Sequence, residues 1–164
     1  MLTGVFVGVV VLGLAVAWAV GDRGAIAQVG EPAPDFTVDL LDGGGSFSLS
    51  DHIVEDGRPL IINLWASWCA PCRKEMPALS DFAGENPEIA VVGVAVEDPL
   101  GEARTFGAEI DPGYTLAYGD DAFEAAYHNF GLPVTYFLDA DGAVTEVFNG
   151  ILTPERLEEL TAGV

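Results

Sequence analysis

The run Leu60-Ile61-Ile62-Asn63-Leu64-Trp65 is followed, after Ala66-Ser67-Trp68, by Cys69-Ala70-Pro71-Cys72. An almost continuous apolar run bounded by Pro59 and a small-residue loop reads as a central strand buried on both faces. The stretch from Arg73 to Ala83 carries Met76, Leu79 and Phe82 at helical spacing, with Pro77 expected to kink it. The two cysteines therefore stand where a buried strand hands over to a helix, and the rest of the chain must supply a sheet and covering helices around that point.

These are the only cysteines in the chain. Four-cysteine zinc sites and iron–sulfur clusters need more thiolates, and covalent haem attachment needs a histidine where Arg73 stands. A purely structural bridge across so short a loop restricts the unfolded chain very little. Thiol chemistry suits the position better. Cys69 falls beside the free N–H groups and positive end of the helix, which favours thiolate, and Pro71 has no N–H to leave unpaired in the first turn. Arg73 and Lys74 add positive charge. Cys69 is expected to attack a partner disulfide and Cys72 to resolve the mixed disulfide.

The remaining elements follow from pattern. Phe36 to Leu40 and Ser46 to Leu49 flank the turn residues Asp42-Gly43-Gly44-Gly45, predicting a hairpin. Ser50-Asp51-His52 is expected to cap a short helical turn. Ile89 to Val96 reads as a second buried strand, Glu102 to Ile110 as a helix, Tyr114 to Tyr118 as a strand and Ala122 to His128 as a short helix. Val134 to Leu138 and Val144 to Phe148 form a hairpin over Asp139-Ala140-Asp141-Gly142, and Thr153-Pro154 opens a last helix. The order implies an α/β fold, a mixed sheet with helices on both faces.

At the front, Leu2 to Val20 carries no charge and one hydroxyl, Thr3. As a helix it would be roughly 28 Å long, near the thickness of a bilayer's hydrocarbon core. Residues 1–21 are expected to be a transmembrane anchor or a signal sequence, residues 22–30 a linker, and residues 31–164 the folded domain. Ala25-Ile26-Ala27 before Gln28 supplies a small-x-small cleavage pattern, so both an uncleaved single-pass anchor in the cell membrane and a cleaved, secreted form stand open. Either places the domain outside the cytoplasm. No Lys or Arg precedes the run, so the positive-inside rule contributes only the α-amino group, and orientation rests on the chemistry downstream. The net charge of −20, with 26 acidic residues against six basic ones, excludes the basic footprint that nucleic-acid binding requires.

The stretches Glu31-Pro32-Ala33-Pro34-Asp35-Phe36, Ile62 to Pro77 and Gly131-Leu132-Pro133-Val134-Thr135-Tyr136, with the final hairpin, resemble the extracytoplasmic thioredoxin-like family of TlpA/ResA type, related to AhpC/TSA-Redoxin domains. The resemblance covers roughly residues 30–162. It implies a thioredoxin-like fold with an N-terminal β-hairpin and a central insertion. It also implies a membrane-tethered reductant or isomerase of protein disulfides, commonly in cytochrome c maturation, whose partners would be a disulfide-bearing protein such as apocytochrome c and a membrane thiol-electron donor. No cofactor beyond the Cys69–Cys72 disulfide is implied. Pro133 matches a cis-proline facing the disulfide, holding the Leu132 backbone where a substrate segment pairs beside Cys69. Asn63 stands where cytoplasmic thioredoxins carry a buried Asp, and an amide cannot titrate. Glu97 and Asp98 resemble the acidic position this family places near the cysteines; the alignment slips by one residue and does not choose between them. Trp65 is expected in the core, and Trp68 is expected to cover the cysteine pair and shape the contact surface.

Two other functions compete. A copper carrier would use Cys69, Cys72 and His128, since soft thiolates select Cu(I). A thiol peroxidase would share the Pro-Asp-Phe opening, although its reactive cysteine normally follows a different local pattern.

Overall fold

The structure, a computed structural model, describes residues 25–127 and 130–162. The apolar run Leu2–Val20, the first residues of the linker and His128 lie outside the described residues. Among the described residues no helix is long and apolar enough to cross a membrane.

Seven strands form one sheet: β1 (Thr37–Leu40), β2 (Ser46–Ser48), β3 (Leu60–Trp65), β4 (Ala90–Ala95), β5 (Thr115–Tyr118), β6 (Val134–Leu138) and β7 (Val144–Asn149). Their order is β2-β1-β5-β4-β3-β6-β7. Strands β3, β4 and β5 run parallel, while β6 and β7 on one side, and β1 and β2 on the other, are antiparallel to their neighbours. All six residues of β3 are buried, as its apolar sequence requires of a strand covered on both faces. The β4-β3-β6-β7 unit is the thioredoxin arrangement. The β1–β2 hairpin is the N-terminal addition, and it pairs with β5, which the central addition supplies.

The helices are α1 (Leu49–Asp51, continued by one π-helical turn over His52–Asp56), α2 (Ala70–Glu85), α3 (Leu100–Ile110), α4 (Asp121–Ala126) and α5 (Pro154–Thr161). The cap of α1 is Ser48, whose hydroxyl accepts from the Asp51 N–H, so the helix opens two residues earlier than Ser50 suggests. Residues of β3 alternate between two cores. Ile62 and Leu64 pack with Phe36, Val92, Phe123 and Tyr136 on one face. Ile61 and Trp65 face α2, with Leu79, Phe82 and Leu157 around Ile61 and with Met76 and Phe106 around Trp65. Asn63, between them in the alternation, falls on the α2 face too. That single polar position in an apolar strand must be satisfied from within the protein.

Candidate active site

Trp65 ends β3 with no exposure, and Ala66-Ser67-Trp68 carry the chain to Cys69, the N-cap of α2. Cys69 is extended (φ −80°, ψ 98°) and its Sγ accepts the backbone N–H of Cys72 at 3.2 Å. Sulfur here takes the place that a Ser or Asp oxygen occupies in an ordinary cap. When the bridge opens, the same N–H and the positive helix end favour negative charge on Cys69. The two cysteines are joined as a disulfide, Cα to Cα 5.3 Å. Cys69 keeps 3% of its surface and Cys72 none, so an incoming sulfur reaches the pair only at Cys69.

The loop before Cys69 is cross-braced. Asp98, buried just past β4, accepts from both the backbone N–H and the hydroxyl of Ser67, the latter at 2.8 Å. Arg73 Nε donates to the Ser67 carbonyl at 2.9 Å, and its guanidinium lies over the Phe106 ring at 4.0 Å. The Trp68 indole N–H donates to the Glu97 carbonyl at 3.0 Å while 60% of the residue stays exposed. Glu97 is exposed and left-handed (φ 51°), and its N–H donates to Glu124 Oε1 at 2.8 Å. The two neighbouring carboxylates thus differ: Asp98 turns inward to hold the loop, and Glu97 meets Trp68 through its backbone. Asp98→Ala removes two acceptors from Ser67. It is expected to cost about 2–4 kcal/mol and to speed exchange of the Ser67 amide, measured by hydrogen exchange.

On the opposite side stands the Leu132-Pro133 segment, whose peptide bond is cis. Pro133 is buried, and its carbonyl accepts the Gly150 N–H at 3.1 Å. Half-buried Leu132 packs against the cluster that holds both cysteines. The structure therefore gathers Trp68, Cys69, Cys72, Leu132 and Pro133, with exposed Phe130 two residues before Leu132 in the chain.

A further carboxylate, not among the site residues expected from the sequence, lies about one helical turn beyond Cys72. Glu75 follows Cys72 by three residues on α2, hence on the same side of the helix, and is fully buried. Its Oε1 accepts from Asn63 Nδ2 at 2.8 Å and its Oε2 from the Leu152 N–H at 2.8 Å. Burial pushes its pKa up to about 7, against the pull of those two donors. Asn63 Nδ2 also donates to Thr135 Oγ1 at 3.0 Å. A signal for it exists in the spacing: Cys72, Met76, Leu79 and Phe82 mark the buried stripe, and Glu75 falls inside it.

His52 is structural, with Nε2 2.9 Å from the Arg58 carbonyl and its ring against Phe47. Among the described residues no three His, Cys, Asp or Glu side chains form a group able to hold a metal ion.

Residues 29–147 match the AhpC/TSA family. The chain is 31% identical over 135 residues to the thiol:disulfide interchange protein DsbE of Escherichia coli K12, covering 81% of this chain and 71% of that protein. It is 30% identical over 143 residues to the thiol-disulfide oxidoreductase ResA of Oceanobacillus iheyensis, covering 84% and 73%. The crystal structure of a putative thiol:disulfide interchange protein DsbE from Chlorobium tepidum superposes with a TM-score of 0.74 at 26% identity, over 84% of this chain and 97% of that one. These relatives favour neither copper carriage nor peroxide reduction. With a capped, bridged Cys69–Cys72 pair at the mouth of a thioredoxin-like sheet, the chain belongs to the AhpC/TSA family and is a thiol–disulfide oxidoreductase of DsbE/ResA type.

Proposed function

We propose that this protein reduces disulfides of protein substrates on the outer face of a membrane, tethered there by its N-terminal apolar run, and that apocytochrome c is among its substrates. The observation that carries the reading is the pairing of a helix-capped Cys69 with a buried carboxyl, Glu75, one turn beyond Cys72. The first arrangement favours a thiolate that attacks. The second holds a proton acceptor in the neutral pH range, where a general base works best.

In the dithiol form, the Cys69 thiolate, its proton given up to solvent, attacks one sulfur of the substrate disulfide, whose S–S bond breaks, and the departing thiolate takes a proton back from solvent. Glu75 accepts the Cys72 proton, and the Cys72 thiolate attacks Cys69 Sγ. The mixed disulfide breaks, the second substrate sulfur leaves, and it receives the proton from Glu75. The substrate gains two electrons and two protons, and the Cys69–Cys72 bridge re-forms. A membrane thiol carrier restores the dithiol by the reverse exchange. Pro133 and the Leu132 backbone align the substrate segment, Trp68 gives it an apolar wall, and Asp98 keeps Cys69 in register through Ser67.

The test is made in cells. Deletion of the gene is expected to abolish covalent haem attachment to cytochrome c, with recovery on adding dithiothreitol, and the protein is expected in the membrane fraction with its domain open to external protease. Normal cytochrome c in the deletion strain would remove apocytochrome c from the reading, and a protease-protected domain would remove the outward orientation.

A further inference from the structure

The buried Glu75 carboxyl has to be stable both with and without a proton, and its two oxygens are not equivalent. Oε2 accepts from the backbone N–H of Leu152, a donor that cannot reverse its role. A proton on Oε2 would be set against that N–H. The proton therefore resides on Oε1, whose partner is the Asn63 side-chain amide.

As it stands, that amide suits only the carboxylate. Asn63 Nδ2 spends its two hydrogens on Glu75 Oε1 and Thr135 Oγ1, while its Oδ1 is buried without a hydrogen-bond partner. Leaving such an atom unpaired in the interior is unfavourable. The idle acceptor is what the protonated state of Glu75 requires. The amide's two ends have nearly the same shape, so half a turn about Cβ–Cγ places Oδ1 where Nδ2 was. There it accepts from Glu75 Oε1–H, and from the Thr135 hydroxyl, which donates as readily as it accepts, while Nδ2 moves to the side where Oδ1 had no partner, so one end of the amide is unpaired in either state.

We propose that Asn63 is a positioning residue for the proton step: it turns its side-chain amide end for end as Glu75 gains and loses its proton, offering a donor to the carboxylate and an acceptor to the acid. This rests on the reading of Glu75 as the group that exchanges a proton with Cys72. An Asp at position 63 could not play this part, because two ionised carboxylates would repel one another. A Leu would leave Glu75 with one partner in place of two. The groups that face Glu75 are few. Cys72 lies one turn back on α2, Asn63 comes from β3 and Thr135 from β6. Leu152 follows β7. Tyr114 precedes β5, its phenol held protonated by burial and by the charge of Glu75. Arg73 and Lys74 are its charged neighbours on α2, and both are exposed.

The experiment follows the Asn63 side-chain amide by 15N NMR in the full chain, in the disulfide form, where neither cysteine titrates. Both amide protons are expected to be hydrogen-bonded above the Glu75 midpoint and to move upfield together below it, in step with the Glu75 carboxyl carbon. If they stay hydrogen-bonded through that titration, the amide does not turn and the inference fails. Asn63→Leu supplies an independent readout. Leucine removes a hydrogen bond from both forms, and because the bond to the charged carboxylate is the stronger of the two, the net effect is expected to raise the proton affinity of Glu75 about tenfold, one pH unit, moving the pH profile of disulfide reduction by the same amount. An unchanged midpoint would reduce Asn63 to packing. The two readings fail separately: an undiminished rate of disulfide reduction in Glu75→Gln would defeat the catalytic account of Glu75, whereas a slowed Glu75→Gln beside an immobile Asn63 amide in the wild-type protein would defeat this inference alone.

Discussion

Cys72→Ser is expected to reduce turnover of a protein disulfide to the rate of buffer alone and to accumulate a covalent adduct between Cys69 and the substrate. Cys69 keeps its cap donor, since the Cys72 N–H that meets its sulfur at 3.2 Å belongs to the backbone. It therefore still attacks, and the resolving sulfur is absent. Cys69→Ser gives the same loss of turnover without an adduct, because Cys72 has no exposed surface from which to attack. Non-reducing electrophoresis after mixing with a disulfide-bearing protein substrate separates the two variants. Adducts from Cys69→Ser, or none from Cys72→Ser, would reverse the assignment of attacker and resolver.

Glu75→Gln is expected to slow disulfide reduction at pH 7 by about 10²-fold or more while making the fold more stable at alkaline pH. The sign follows from burial. The folded carboxyl titrates near 7 rather than at its ordinary 4.5. Between those values the folded chain holds a proton that the unfolded chain has released. Stability therefore falls as pH rises through that window and is level above it. The loss amounts to about 3 kcal/mol. Glutamine keeps an acceptor for the Leu152 N–H and has no charge to bury, so urea unfolding of Glu75→Gln is expected to lack this slope. Equal slopes in both proteins between pH 5 and pH 8 would show that Glu75 is not held protonated by the fold. A stability gain accompanied by a loss of rate is the usual sign of a group kept for its chemistry.

Much of this site is legible in the amino-acid sequence. The β3–Cys–α2 junction is legible because three local signals agree there: a buried-strand run, sulfur at a cap position and proline in the first helical turn. The β6–β7 hairpin is legible for a similar reason. Asp139 Oδ1 accepts from the Asp141 and Ala143 N–H groups, and Gly142 takes φ 80°, so the turn is encoded within five residues. Glu75 is legible only in part: the spacing of Cys72, Met76 and Leu79 sets it on the buried stripe of α2, but nothing local shows what satisfies a carboxylate there. Beside Arg73 and Lys74 it looks like part of a solvated helix face, and its burial depends on Leu152, 77 residues away, returning to α2. Asp98 and Glu97 cannot be told apart by sequence either. Which of them turns inward is decided by the left-handed backbone of Glu97 and by the distant partners Ser67, Trp68 and Glu124. The pairing of β1 with β5 joins residues far apart in the chain through two short strands, and neither carries a pattern that names its neighbour.

The reduction potential of the Cys69–Cys72 pair, measured by equilibrating the full chain against glutathione or dithiothreitol, tests the central claim most directly. A protein built to reduce disulfides is predicted to poise near thioredoxin, at about −270 mV or lower. A value near −120 mV would mean a protein that inserts disulfides, contradicting the reductive direction, the membrane thiol donor and the cytochrome substrate together.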